Sequence, residues 1–573
     1  MRGGAPSPHA RASRFRLCLT SKISPKGGGM SKSNLVELTS KRAPRNTGAF
    51  DDQNAIDKSR TAEIVIALCG PMGTPLHEVA KTFEKLLKGT DYNYEHVSII
   101  RLSDEIRELA GLKNQNCSTR QLIEAGNELR KKHGNAYLAR IAINQITIAR
   151  EGLNVDHSKE QASLFDETDS DEDLRPIFSI PSCHIIDSIK NVDELRLLRS
   201  VYGDMLHVIG VYTPIEMRIE KLSKRTNRGD HVHQLIDRDS GEEVDYGQQV
   251  GDTFPQSDFF LRADAGTDSQ LHARVKRFLD LMLGTRIATP TPNERAMYAA
   301  YSAARNSACL SRQVGAALIG EKGEVLSVGW NDVPRPFGGL YEAQDVADSV
   351  DGDHRCWNID GGHCFNDEEK DLIASAVVDR MVVGGIIDDA KREDAFKIIR
   401  RDSQLRGLIE FSRAVHAEMH ALLNAGAVHG SQVRGGKLFV TTYPCHSCAR
   451  HIVAAGITEV YFLEPYRKSL ATKLHADAIT EREGDSTKVR ILPFDGVAPS
   501  RFLKFFSTHD GGRKDPVSGK MRVRAAYPVT AITLEAIPTL EALAVRSLQS
   551  RQPQATPAVG ASAGQNDGSD EDK

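Results

Sequence analysis

At 573 residues the chain is long enough for two to four domains, so one core need not carry everything. Its 40% apolar and 26% charged residues are the proportions of an ordinary globular protein, and a formal charge of −3 argues against a surface built throughout to hold nucleic acid. No run of about 18 apolar residues occurs, which excludes a transmembrane helix, and nine dispersed cysteines are too few for a disulfide scaffold. A reducing compartment, the cytoplasm, is the expectation, and clustered cysteines there are read as metal ligands.

Residues 1–60 lack periodicity and read as a disordered leader. Seven Arg and Lys precede the first acid, Glu37. An organellar transit peptide is the alternative, and Met30 is a second candidate start. Order begins at Glu63–Gly70, "EIVIALCG", an apolar run ending in glycine that reads as a buried strand. The next segment places Leu76, Val79, Ala80, Phe83, Leu86 and Leu87 on one helical face, with Thr74 positioned to cap it. Further strands are expected at Val97–Leu102, Cys183–Ser188 and Met205–Tyr212, with helices between them. Alternating strands and helices imply an α/β parallel sheet over residues 61–265, interrupted by an acidic insertion at about 154–175.

A connecting segment (266–288) leads to a second α/β region over 289–510. A C-terminal extension (511–548) and a low-complexity tail (549–573) follow.

Two short segments of the second region carry the chemistry. "HAE" places His416 and Glu418 two apart, and "PCHSC" places Cys445 and Cys448 three apart after a proline. Two thiolates opening a helix can grip one Zn²⁺ from the same side, and His416 as third ligand leaves a fourth position open, the arrangement of a catalytic zinc. Zinc brings the pKa of a water toward neutrality, and Glu418 stands close enough to carry its proton. H-x-E with P-C-x-x-C is the signature of zinc nucleobase deaminases. His420 reads as a buried or secondary-site histidine rather than a primary ligand. A second group, Cys309, His354, Cys356, His363 and Cys364, could with His420 hold a second, structural zinc; the alternative is an incidental surface loop.

The segment from about 289 to 500 resembles the deoxycytidylate deaminases of the cytidine deaminase superfamily, on "NSACLSRQVGAALI", "LSVGWNDVP", "HAE", "YPCHSC", "AAGITEVYFLEPY" and "ILPFDGVAP". The resemblance implies a cytidine-deaminase-like α/β/α fold and a nucleoside contact from Asn331. Tyr466 is a candidate for packing on sugar or base, and Arg312 and Lys468 for phosphate. The separation of about eighty residues between Asn331 and His416 departs from the family pattern. "IALCGPMGTPLHEVA", with the later "TRQLIEAGNELRKKHG" and "YTPIEMRIEKLSKR", resembles nucleotide kinases. The loop at Gly70, Gly73 and Thr74 lacks the P-loop lysine; it could cradle phosphate through backbone N–H groups, or be a turn without a ligand.

A degenerate P-loop kinase-like domain ahead of a deoxycytidylate deaminase domain is the arrangement of the bacterial anti-phage dCTP/dCMP deaminases. That resemblance implies deamination of free deoxycytidine nucleotides, depletion of dCTP during infection, and in some members restraint by a small noncoding RNA. A regulatory nucleotide at the first domain and a homo-oligomer are further expectations. The rival readings are a polynucleotide deaminase acting on tRNA or single-stranded DNA, for which "RKDPVSGKMRVR" is the one basic segment, and a nucleotide-sensing regulator with a vestigial site.

Overall fold

The computed structural model describes residues 60–112, 117–162, 180–225, 247–263, 268–343, 352–359, 361–465, 469–508, 512–522, 524–533 and 536–549. The leader, the Asp166–Asp173 acidic run, Tyr466, Lys468 and the tail beyond Gln549 lie outside them.

The first half alternates as its apolar pattern dictates. Strand β1 (Ile64–Cys69) is buried along its whole length and turns at Gly70 into helix α1 (Leu76–Leu87). The six residues of α1 that share an apolar face are its buried ones. Its cap differs from expectation. Pro75 occupies the capping position without a side-chain bond, and Thr74 Oγ1 is buried with no partner among the described residues. Proline suits a helix start because it has no N–H to leave unsatisfied.

Next come β2 (His96–Arg101), α2 (Leu102–Leu109), α3 (Thr119–His133) and α4 (Tyr137–Ala162). Then follow β3 (Ser182–Asp187), α5 (Val192–Tyr202), β4 (Leu206–Tyr212), α6 (Ile215–Arg225) and β5 (Phe259–Arg262). The strands form a parallel sheet in the order β5-β4-β1-β3-β2. The chain leaves β1 toward one edge and crosses from β3 to β4 toward the other, so the carboxyl end of β1 is a topological switch point, where open α/β sheets form a crevice. The Gly70–Thr74 turn stands there.

Helix α7 (Asp268–Leu283) leads to the second half, which opens with α8 (Pro292–Ala304). There β6 (Gly315–Ile319), β7 (Val325–Trp330), α9 (Phe365–Val383), α10 (Ala417–His429), β8 (Lys437–Thr442), α11 (His446–Ala454), β9 (Glu459–Glu464), β10 (Ile479–Thr480) and β11 (Val489–Pro493) build a mixed sheet, β10-β11-β9-β8-β6-β7. Strand β6 is antiparallel to both its neighbours, and the other pairs are parallel. Two glycines set its layer spacing. A Cβ at Gly315 would lie 1.9 Å from Ala300 O on α8, and one at Gly329 would lie 2.4 Å from Ala417 O on α10. Both helices therefore press directly onto the sheet.

The halves are sewn together by chain that crosses between them. Strand β12 (Gly496–Val497) leaves the second half to pair antiparallel with β5 of the first sheet. Val497 N donates to Glu294 Oε1 at 2.9 Å, and Glu294 is 1% exposed while also closing the capping box of α8. Tyr212 meets the edge of Phe462 across the junction, with ring centroids 6.0 Å apart. After α12 (Phe502–Phe506) the chain returns to the first half. Thr61 N donates to Ile532 O, and α13 (Ile537–Gln549) packs on α4 and α5. Its fully buried Glu541 accepts from Tyr202 and Arg150, and Arg150 also holds Glu63 at 2.7 Å. The hydrogen-bonded pairing lets these charges be buried together.

Candidate metal centre and active site

Two helix N-termini converge beneath the end of the second sheet. His416 holds the N-cap position of α10 in an extended conformation, which places Glu418 in the helix's first turn. Its place is fixed upstream by Val415 N donating to Asp332 O at 2.9 Å, beside β7. Cys445 is the N-cap of α11 and its sulfur accepts from Cys448 N at 3.4 Å, so the proline before it stops β8 and the C-x-x-C spacing returns the second thiol to the same side.

His416 Nδ1 stands 3.4 Å from Cys445 Sγ and 3.3 Å from Cys448 Sγ, and all three ligand atoms lie within 4.8 Å of one another. Tetrahedral zinc at ordinary bond lengths sets nitrogen and sulfur donors about 3.6 Å apart, so this donor set fits the ion in number, type and spacing. Among the described residues this is the group of three metal-ligating side chains whose ligand atoms come this close together. Hydrogen bonds from Cys448 and His416 hold the Cys445 thiol down at about 4, and the thiol's own bond lifts His416 to about 9. The Cys448 thiol is pushed up, chiefly because Cys445 takes the role of anion. The two helix N-termini favour the thiolate form that a metal would need. Glu418 is 4% exposed, and burial pushes its carboxyl up. A carboxyl displaced toward neutrality is suited to accepting and returning a proton.

An open cavity of about 310 Å³ is lined by His416 and Cys448 together with Ile409, Glu410, Val415 and Met419. Its size is that of a small-ligand site.

The remaining sequence candidates separate. His420 is 6% exposed and its Nδ1 accepts from Trp330 N at 3.2 Å, with the two ring centroids 4.7 Å apart and the planes nearly perpendicular; it ties α10 to β7. The amide of Asn331 is engaged at both ends by the loop before β6, donating to Arg312 O at 2.9 Å and accepting from Val314 N at 2.7 Å. Arg312 is exposed and lies 3.5 Å from Glu464. Cys309, Cys356 and Cys364 are electrostatic neighbours, and Ser311 Oγ lies 3.6 Å from Cys364 Sγ. They are not gathered to ligand distance. The His363 ring is 3.1 Å from Glu368 and the His354 ring lies against Tyr341.

At the Gly70–Thr74 turn, Gly73 has φ +88°, and a Cβ at Gly70 would meet Val211 O at 2.5 Å. Lys190, from the β3–α5 connection, donates to Gly70 O at 2.8 Å.

Sequence reading also missed a support behind the metal loop. Tyr443, two residues before Cys445, donates from its hydroxyl to Glu481 at 3.0 Å. The turn that carries Glu481 is clasped by the first half through Arg482–Glu216 at 2.6 Å and the Glu483–Arg262 pair. These partners are far apart in sequence and carry no local signature.

Fold and site together place a histidine–dithiol ligand group at the end of a mixed α/β sheet. Residues 290–464 match the family described as the cytidine and deoxycytidylate deaminase zinc-binding region, and that segment is similar to deoxycytidylate deaminases. The deoxycytidylate deaminase of Enterobacteria phage T4 is 26% identical over 170 residues, 30% of this chain and 76% of the relative. ComE operon protein 2 of Bacillus subtilis is 37% identical over 73 residues, 13% of this chain and 36% of the relative. The dCMP deaminase of cyanophage S-TIM5, solved in complex with dCMP and dUMP, is 20% identical with a TM-score of 0.21, covering 36% of this chain and 99% of that one; at that score the likeness adds nothing to the geometry. No helix among the described residues is long and apolar enough to cross a membrane.

Proposed function

We propose that the protein is a zinc-dependent hydrolytic deaminase of free deoxycytidine nucleotides, dCMP and dCTP, and that it serves antiviral defence by depleting dCTP. The observation that carries the chemistry is the His416–Cys445–Cys448 group with Glu418 buried beside it. His416, Cys445 and Cys448 would hold one Zn²⁺, which when bound makes a water acidic enough to lose its proton near neutral pH. Glu418 takes that proton. It would give that proton to N3 of the cytosine ring as the water oxygen bonds to C4, then take the remaining proton of the added hydroxyl and give it to the amino group, so that the C4–N bond breaks and ammonia leaves. Burial of the Glu418 carboxyl keeps bulk water from competing for the proton. The nucleotide reading rests on the relatives named above. Free nucleotides are favoured over polynucleotides by the absence of a net basic charge. The Gly70–Thr74 turn at the switch point is offered as a site for a regulatory nucleotide.

Purified protein incubated separately with dCMP, dCTP and a cytosine-containing oligonucleotide, with ammonia followed, tests the assignment. Turnover of a free nucleotide is the expected result. Ammonia from the oligonucleotide alone would overturn it.

A further inference from the structure

Away from the metal centre, the C-terminal extension forms a short hairpin against the end of α7. Lys514 and Met521 pair antiparallel, Arg522 N donates to Arg513 O at 3.0 Å, and Asp515 N to Lys520 O at 2.9 Å. This register sets Arg513 directly opposite Arg522. Like charges on directly opposed residues are destabilising in an antiparallel pair, so the hairpin carries a cost that its own fold does not explain. Both side chains, with Arg524 and with Arg286 from the segment after α7, line one recess of about 370 Å³.

Neutralisation from within is partial. Asp280 is the acid lining the recess among the described residues; its Oδ1 accepts from Tyr92 and Thr285, and Arg286 stands 3.9 Å from its other oxygen and within electrostatic reach of Asp91. Asp515, in the same hairpin, accepts at Oδ1 from Val517 N, Ser518 N and the Ser518 hydroxyl and is an electrostatic neighbour of Arg522. Four arginines therefore line one concavity in which Asp280 is the carboxylate among the described residues; the Arg524 guanidinium also donates to Gly512 O at 2.8 Å. The guanidinium fork matches phosphoryl oxygens two at a time, more closely than a lysine could. Ile287 and Met521 add exposed apolar surface to the same wall, at 49% and 64%.

We propose that this recess binds a phosphorylated small molecule, a nucleoside polyphosphate, whose phosphates lie between Arg513 and Arg522 and whose ring packs on the apolar wall. A polynucleotide fits less well. Its binding sites combine a long basic track with aromatic platforms, whereas these arginines surround a single recess whose aromatic residue, Phe505, is 4% exposed. The site shares no residue with the metal centre and does not depend on the deaminase reading.

Calorimetric titration of the full-length protein with inorganic tripolyphosphate, ATP and a single-stranded RNA tests the proposal. Tripolyphosphate and ATP should bind the wild type, and Arg513→Ala/Arg522→Ala should weaken both by at least about tenfold while zinc content is unchanged. Without ligand the double variant should melt no lower than wild type, since a repulsive pair has been removed. Should the double variant fail to fold, Arg286→Ala, at a position 67% exposed on its side chain, should still weaken tripolyphosphate several-fold. Unaltered affinity in the folded variants, no binding of either anion to wild type at millimolar concentration, or binding of RNA alone would each overturn it.

Discussion

On the proposed reading Glu418 and Cys445 have different tasks at one site, and substitution separates them. Glu418 faces the metal position without belonging to the ligand group, so Glu418→Gln should keep zinc and lower ammonia release about 10²- to 10⁴-fold, the usual worth of a positioned acid–base group. Cys445→Ala removes one of three donors and should lose zinc and turnover together. Metal analysis and ammonia assay on the same preparations check both; a Glu418→Gln protein with near-normal turnover would contradict the proton role. These residues were legible because their chemistry is local: H-x-E and P-C-x-x-C each place donors at one helix start. The backbone partners of Asn331 were not legible: the resemblance implies a nucleoside contact, and the structure shows its amide bonded to Arg312 O and Val314 N, a pairing no spacing rule predicts. His420 is buried, as its sequence reading expects, and its partner Trp330 N is the part that spacing could not supply.

At the scale of elements, the site is built on the contact between β7 and α10. Gly329 lets the helix carrying Glu418 lie against the strand, and Ala417 O and Ala421 N would stand 2.4 and 2.5 Å from a Cβ there. Gly329→Ala should push α10 outward, destabilise the fold by about 1–3 kcal/mol and weaken zinc retention against a chelator. Unchanged stability and unchanged metal retention would show that α10 tolerates the displacement. The periodicity of α1 and the apolar runs of β1 to β4 were readable from sequence because each element buries a continuous stripe of its own residues. The two-residue β12 was not, since its pairing with β5 is decided by a distant partner and by Glu294 beneath it. Nor was the cap of α1, where the backbone of Pro75 prevails over the hydroxyl of Thr74.

For the whole molecule, the first half, the deaminase region and the returning C-terminal helix share buried charge and buried rings. One consequence is a dependence of stability on acidity. His207, on β4, is 2% exposed against Phe259 and Phe505, and burial pulls its imidazole from 6.5 to about 4. The unfolded chain takes up the proton first as pH falls. The contribution of neutral His207 is therefore complete above about 6.5 and lost as pH drops through about 4, with a slope of at most about 1.4 kcal/mol per pH unit. Denaturant midpoints between pH 7 and 4.5 should fall less steeply for His207→Gln than for wild type; parallel curves would show that His207 does not govern the loss. The segments that bind the halves together, β12, the turn at Glu481 and α13, are short or polar and meet partners hundreds of residues away. Local pattern describes the two sheets and leaves their junction to long-range packing.

The most direct test of the central claim is ammonia release from dCMP as Zn²⁺ is titrated into chelator-treated protein. The account predicts a rate that rises from near zero and saturates at one equivalent per chain. A rate that is already full without zinc, or that stays at zero at every zinc concentration with the protein folded, would contradict it.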